Sequence, residues 1–380
     1  MHINSKLPKT ETSIFAVMSG LANRYGAINL SQGFPDFPVS RELINLVNRY
    51  MLADKNQYAP MPGVYELREA IAAKVKNLYD KKINPDTEIT ITAGATQALF
   101  TAITALINPG DEAIIFEPAY DSYDPAIKLN GGITKYISLS APDFKIDWNK
   151  VKSTITPKTK LIIINTPNNP GGFVFTETDM QSLTEITRNT DIVVISDEVY
   201  EHIIFDGLQH QSALRFNELY QRTLAVYSFG KTFHATGWKT GYVIAPEALT
   251  NEFRKVHQFN VFSVNTPIQY ALADYLQNPE NYLNLPEFYQ AKRDFFVEHL
   301  SGSKFKVIPS HGTYFQLLDY SAISDLNEYD FAVWMTKEKG VAAIPVSAFY
   351  HDKRDQHILR FAFPKELDTL LKATEILTKI

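Results

Sequence analysis

Asp197 and Lys231 each stand at the end of a short apolar run, residues 192–196 and 223–228, in a chain of 380 residues. A lysine amine so placed can condense with an aldehyde, and a nearby carboxylate can keep a ring nitrogen protonated so that the ring draws electrons. Taken alone, Asp197 reads equally well as a solvated strand-end acid. Tyr200 follows closely and offers a phenol to a ring oxygen, although a lone tyrosine there is more simply core. Ser228 and Lys239 flank Lys231 and provide a hydroxyl and a cation for a phosphate. Gly94-Ala95-Thr96 falls where the run 88–92 gives way to a helical pattern over 98–106, and the free amides and dipole of a helix start attract an anion. Amine, acid and anion cradle are thus all present.

These groups need elements that bring them to one place. The runs 88–92, 113–116, 161–165, 192–196, 223–228 and 241–245 are nearly continuous in Ile, Val, Leu and Phe. Strands buried on both faces of a helix-covered sheet read this way, so the expected fold class is α/β with a mostly parallel sheet. Ligands of open α/β sheets bind at the carboxyl ends of the strands, which puts Asp197 and Lys231 on one edge. Residues 64–79 carry Leu67, Ile71, Val75 and Leu78 on one helical face, and Thr176 with Asp179 predicts a capping box. After about Asn278 the pattern becomes helix, strand 312–318, helix 328–339, strand 358–363 and a last helix, a smaller α+β unit.

Composition excludes several classes. A formal charge of −5 with no run of like charges gives no footprint for nucleic acid. There is no cysteine and no H-E-x-x-H pair, so no metal site is expected. No apolar stretch is long enough to span a bilayer and the first residues lack a secretion pattern, so no membrane association and a cytoplasmic location are expected. No two glycines stand one residue apart, which removes the dinucleotide turn. Gly230-Lys231-Thr232 ends like a phosphate loop, but Ala225 stands where the first glycine belongs. A serine acyl-enzyme is the remaining rival, through Ser228-x-x-Lys231, Lys239-Thr240-Gly241 and Ser263-Val264-Asn265. The second word follows the first almost at once and precedes the third, an order that fold does not use.

The segments Ser31-Gln32-Gly33-Phe34-Pro35-Asp36-Phe37-Pro38, Asn56-Gln57-Tyr58, Asn165-Thr166-Pro167-Asn168-Asn169-Pro170, Ser196-Asp197-Glu198-Val199-Tyr200-Glu201 and Ser228-Phe229-Gly230-Lys231-Thr232 occur in this order. Thr236-Gly237-Trp238-Lys239 and Leu359-Arg360-Phe361 complete the series, and the whole resembles the class I aminotransferases. Ala119-Tyr120-Asp121-Ser122-Tyr123, Phe262-Ser263-Val264-Asn265-Thr266-Pro267 and Gly340-Val341-Ala342-Ala343-Ile344-Pro345 place it nearest the kynurenine, glutamine and bacterial methionine transaminase branch.

The resemblance implies the fold-type I architecture, with a large domain over 41–277 and a small one from 1–40 plus 278–380. It implies pyridoxal 5′-phosphate (PLP) as cofactor, carried by Lys231, with Asp197 at the pyridine nitrogen and Tyr200 and Asn169 at the ring oxygen. Tyr120 would stack on the ring, while Gly94, Ala95, Thr96, Ser228 and Lys239 would hold the phosphate. Gly33, Asn169 and Arg360 would receive the substrate carboxylate. Tyr58 would reach the phosphate of a neighbouring subunit, and Phe262 and Ser263 its substrate pocket, which implies a homodimer with shared sites. The bonds Glu117-Pro118 and Asn169-Pro170 are expected to be cis, and Gly171, where relatives often carry threonine, is expected to loosen its loop.

The implied reaction is ping-pong transfer of an amino group from an amino acid to a 2-oxo acid. No arginine stands in residues 260–265 and Phe262 suggests an apolar wall, so methionine, aromatic amino acids or glutamine are expected donors rather than aspartate. A carbon–sulfur β-lyase shares the early chemistry and stays open as an alternative. A non-catalytic regulatory module of the same fold would lack the lysine or carry a DNA-binding domain, and Lys231 is present.

Overall fold

Six of the apolar runs become strands of one seven-stranded sheet in the computed structural model, which describes residues 4–8 and 11–380. From one edge the order is Ile89–Thr92, Gly241–Ile244, Thr223–Ser228, Val193–Asp197, Thr159–Asn165, Glu112–Glu117 and Ile133–Ser138. Gly241–Ile244 runs antiparallel to both its neighbours, and the other adjacent pairs are parallel. Alternation sends Ile114, Ile162, Ile164 and Val194 to one face, where Val151, Met180 and Leu183 of two helices cover them. Ile115, Ile163, Ile195 and Val226 go to the other, beneath Ala98, Leu99 and Ala102 of helix Ala95–Leu106.

The strand Ile133–Ser138 was not expected from its composition. It lies at the sheet edge, reads Ile-Thr-Lys-Tyr-Ile-Ser, and is mostly part-exposed, so it lacks the continuous apolar run of its neighbours. Helix Tyr65–Tyr79 buries Leu67, Ile71 and Val75, and Thr176 with Asp179 forms the full capping box.

A second sheet has the order Ile344–Pro345, Ile358–Ala362, Phe315–Asp319, Lys306–Ile308 and is antiparallel throughout. Arg360 sits in an inner strand, opposite Leu317 on one side and Ile344 on the other. The strand expected from 312 starts only at Phe315, because Thr313 has φ 75° and Gly312 is bridged to Ile204 instead. The helix expected over 328–339 is α-helical over Glu328–Trp334 and widens into a π turn over Met335–Lys339. Near the N-terminus, Ile28–Asn29 pairs in parallel with Val341–Ala342. Glu117-Pro118 and Asn169-Pro170 are cis, as are Ala141-Pro142 and Thr166-Pro167.

The loop after Asn168 is not loosened by Gly171. Phe173 fills the space, so that a Cβ at Gly171 would lie 2.6 Å from its ring. The loop is buried and tied by Gly171 N–H to Asn168 Oδ1 at 2.9 Å and Gly172 N–H to Asn168 O at 2.9 Å. Among the described residues, no helix is long and apolar enough to cross a membrane.

Candidate active site

The register places Thr92, Gly241, Ser228, Asp197 and Asn165 along the same edge of the large sheet, where four of these five residues end their strands. One cavity at this edge is lined by Gly94, Ala95, Thr96, Tyr120, Asn169, Asp197, Tyr200, Ser228, Lys231 and Lys239. An adjoining cavity shares Tyr120, Asn169, Tyr200 and Lys231 and adds Gly33 and Arg360. Residues far apart in the chain are thus brought together as amine, acid and cation.

Asp197 is buried, and its carboxylate accepts from the Tyr123 hydroxyl at 2.5 Å and from Val199 N–H at 3.4 Å. Burial raises its pKa to about 6, with Tyr123 and Val199 opposing the rise. The next residue, Glu198, is committed elsewhere. It accepts from Ser196 Oγ at 2.8 Å, Ala213 N–H at 2.9 Å and Tyr227 OH at 3.0 Å, and pairs with His210 at 2.9 Å. This web fixes the strand end from which Asp197 projects.

Lys231 lies in the short helix Phe229–Thr232 that opens directly from the strand Thr223–Ser228. Its amine donates to Gly33 O at 3.1 Å and lies 5.6 Å and 5.4 Å from the ring centres of Tyr200 and Tyr314. The Tyr314 hydroxyl donates to Lys231 O at 2.6 Å and holds the helix in place. Burial lowers the lysine pKa to about 8, helped by the Arg360 and Lys239 charges and opposed by Asp197. An amine so shifted has a larger neutral, nucleophilic fraction near neutral pH.

Between Lys239 and helix Ala95–Leu106 lies a cup suited to an anion. The helix is three turns long, and its first amides, Ala95 and Thr96, have no acceptor within it. Gly94 needs to be glycine there, since its φ of 82° belongs to the region that L side chains rarely adopt. Gly241 is required for a different reason: a Cβ would stand 2.5 Å from Tyr227 O and 3.1 Å from Ala95 N. Tyr120 closes the cup near Thr96, their hydroxyls 3.3 Å apart.

Arg360 is almost fully buried at 1% exposure. Nη1 donates to Asn169 Oδ1 at 2.7 Å and Nη2 to Ser31 O at 3.0 Å, while Nε has no partner. The Phe315 ring supports the guanidinium at 3.8 Å, with Phe15 and Phe349 each at 5.2 Å. Among the described residues no carboxylate pairs with it, so the rival role of neutralising a buried acid is not what this cation does here. A buried guanidinium with neutral partners and an idle N–H is poised for an anion.

Three expected residues lie elsewhere. Tyr58 and Phe262 are exposed and meet edge to face with ring centres 5.4 Å apart, and Ser263 donates to Ala59 O at 3.0 Å. Tyr58 and Ser263 line a shallow surface recess, and none of the three lines the Lys231 cavity of their own chain. Conversely, Tyr123, Asn165 and Tyr314 are central to the site and were not assigned roles from the sequence. Asn165 Nδ2 donates to Asp197 O at 2.9 Å, and its Oδ1 accepts from Asn169 N–H at 2.7 Å. The Tyr123, Tyr314 and Asn165 Nδ2 contacts join segments far apart in the chain, and no local spacing encodes them, whereas Asn165 Oδ1 reaches only four residues along its own loop.

Comparisons with known proteins find relatives over nearly the whole chain. Residues 25–373 match the family described as aminotransferase class I and II. The chain is 50% identical to methionine aminotransferase of Escherichia coli (strain K12), with 99% of this chain and 98% of the other covered. It is 35% identical to kynurenine–oxoglutarate transaminase 1 of Mus musculus, covering 92% and 91% of the two chains. A crystal structure of an Escherichia coli protein described as having a methionine aminotransferase function superposes with a TM-score of 0.98 at 50% identity, covering 100% of both chains. The strand-end lysine and acid, the buried arginine and these likenesses together show that the chain belongs to the class I and II aminotransferase family, with the fold-type I architecture.

Proposed function

We propose that this aminotransferase uses PLP to move the amino group of a neutral, apolar or aromatic L-amino acid, methionine foremost, to a 2-oxo acid. The observation that carries the proposal is the cavity pair in which Lys231 faces Asp197 on one side and the unpaired Arg360 on the other. The name of the Escherichia coli relative supports methionine, and the kynurenine transaminase supports a broader aromatic range. We take residues 41–277 as the large domain and residues 1–40 with 278–380 as the small one, so that Arg360 and Lys231 come from different domains.

The residues present fit the cofactor: the cup at Gly94, Ala95, Thr96, Ser228 and Lys239 suits a phosphate, and Asp197 suits a protonated ring nitrogen. Bound there, PLP supplies an electron-withdrawing ring that stabilises the electron pair left when the substrate Cα–H bond breaks. Lys231 is the base that takes the Cα proton and returns it on the cofactor side. Arg360 and Asn169 hold the α-carboxylate so that this proton faces Lys231, Gly33 O helps to position the amine, and Tyr120 and Tyr200 confine the ring. A homodimer would complete the site: Leu52, Tyr58, Phe259 and Phe262 are large side chains left exposed, and the first three exceed 75% exposure. In that assembly Tyr58, Phe262 and Ser263 serve the neighbouring subunit.

A donor panel tests the reading. With a common 2-oxo acid, methionine and aromatic donors should exceed aspartate in kcat/KM by at least about ten-fold, as one cation cannot serve two carboxylates. A preference for aspartate would overturn it. Borohydride treatment of the holoenzyme should fix the cofactor to a single lysine, Lys231, in peptide mass spectrometry. Label on Lys239 would reverse the two assignments.

Asp197 also makes a stability prediction. Its folded pKa of about 6 lies above the ordinary 3.8, so the folded state holds the extra proton. The contribution of this group is full below the lower value and is lost as pH rises through about 6. Asp197→Asn should therefore make the cofactor-free protein more stable above pH 6 by roughly 1–3 kcal/mol, although the enzyme loses most of its activity. Equal or lower denaturation midpoints at pH 8 would refute this account of the buried acid.

A further inference from the structure

Asp121 is a charge that the reaction described above leaves unused. It follows Tyr120 on the loop after Glu112–Glu117, and it lines the same cavity as Arg360, Lys231 and Gly33. The residue is exposed at the mouth of that cavity. Among the described residues, no other residue donates a hydrogen bond to its carboxylate, in contrast to Asp197 and Glu198. Partial enclosure at the mouth raises its pKa, and the Arg360 charge opposes that rise, so the two groups lie within each other's field.

The charges around this cavity are therefore asymmetric. Among the described residues its lining holds two cations, Lys231 and Arg360, and one anion, Asp121; the rest is neutral, with Phe15, Phe34 and Phe315 as apolar wall. Once Arg360 holds an α-carboxylate and Lys231 serves the amine, no further cation among the described residues lines the cavity to meet a second carboxylate, and the negative charge of Asp121 stands at its exposed side. A distal carboxylate on the substrate would meet like charge there, whereas a thioether, an aromatic ring or an amide would not.

We propose that Asp121 is a specificity-determining residue that rejects substrates and ligands bearing a second carboxylate, on both the amino-acid and the oxo-acid side. The inference rests on the assignment of Arg360 as the carboxylate clamp. It adds a repulsive element to a pocket otherwise described by what it attracts. Asp121 is exposed where Arg360 is buried, so it lies on the solvent side of the carboxylate clamp, toward which a long substrate side chain would project.

The test uses the holoenzyme with two ligands of similar length, glutarate and pentanoate, each titrated by calorimetry. In Asp121→Asn and Asp121→Ser, glutarate should tighten relative to pentanoate by about ten-fold, the size of a like-charge interaction in a partly solvated site. The ratio of kcat/KM for glutamate to that for methionine should rise by a similar factor. Asp121→Glu should keep the wild-type ratios, because it keeps the charge. If both neutral variants leave both ratios unchanged, or if glutarate and pentanoate shift together, the proposal is wrong. Pentanoate binding reports an intact site in each variant, and the two neutral variants guard against a local fault in one. If wild-type enzyme prefers glutamate to methionine, the donor reading fails separately, while the change of ratio on removing the charge still decides the role of Asp121.

Discussion

Lys231→Ala should lower turnover of methionine with a 2-oxo acid by about 10⁴-fold or more, the upper range for loss of a positioned base, since the covalent attachment is lost with it. Among the described residues only one other amine lines the cavity, that of Lys239, and it stands by the anion cup against Gly94. The short helix Phe229–Thr232 is held by Tyr314 through the Lys231 carbonyl, a backbone contact that alanine retains. The variant should therefore fold and keep its cup. Small amines added at high concentration should restore part of the rate, because the space vacated lies between Gly33, Tyr200 and Tyr314. Turnover within ten-fold of wild type would remove Lys231 from the mechanism.

The second large effect belongs to Arg360. Its guanidinium spans Asn169 and Ser31 while resting on Phe315, so its plane is fixed before any substrate arrives. Lysine could keep one of these contacts but not the planar fork. Charge-assisted hydrogen bonds contribute about 1.5–3 kcal/mol each, so Arg360→Lys should reduce kcat/KM for methionine by roughly ten- to a few hundred-fold. Cofactor absorbance should remain. An amine without a carboxylate gives the decisive comparison: if its reaction falls as far as that of methionine, Arg360 supports the fold and does not hold the carboxylate.

How much of this was legible in the sequence follows from where the information is stored. Strands buried on both faces announce themselves as apolar runs, so the inner strands of the large sheet were found with errors of a residue or two. The edge strand Ile133–Ser138 was missed because five of its six residues are at least partly exposed to water. Gly94 at a strand-to-helix turn and Lys231 after a strand end carry local signals. Tyr123 beneath Asp197 and Tyr314 on the Lys231 backbone do not, since each contact joins segments separated by 74 and 83 residues. The roles of Tyr58, Phe262 and Ser263 are the extreme case: they came only from resemblance, and one chain leaves them at its surface. The expectation for Gly171 failed because a glycine loosens a loop only when nothing else fills its space, and Phe173 does.

The reversed strand Gly241–Ile244 has a consequence for how the loop bearing Lys231 is assembled. Ser228 pairs with Gly241 and Tyr227 with Tyr242, so both ends of residues 229–240 are clamped by one hairpin-like ladder. In a sheet built otherwise from long crossovers, this loop closes over a short chain length at low entropic cost, and it can form before the distant strands meet. The same clamp makes it intolerant of altered length. A one-residue deletion would have to strain the loop or slip the ladder, and a slip would turn Tyr227 or Tyr242, whichever strand moves, to the opposite face. The spacing between Lys231 and Lys239 is thus enforced by strand pairing on either side of the loop.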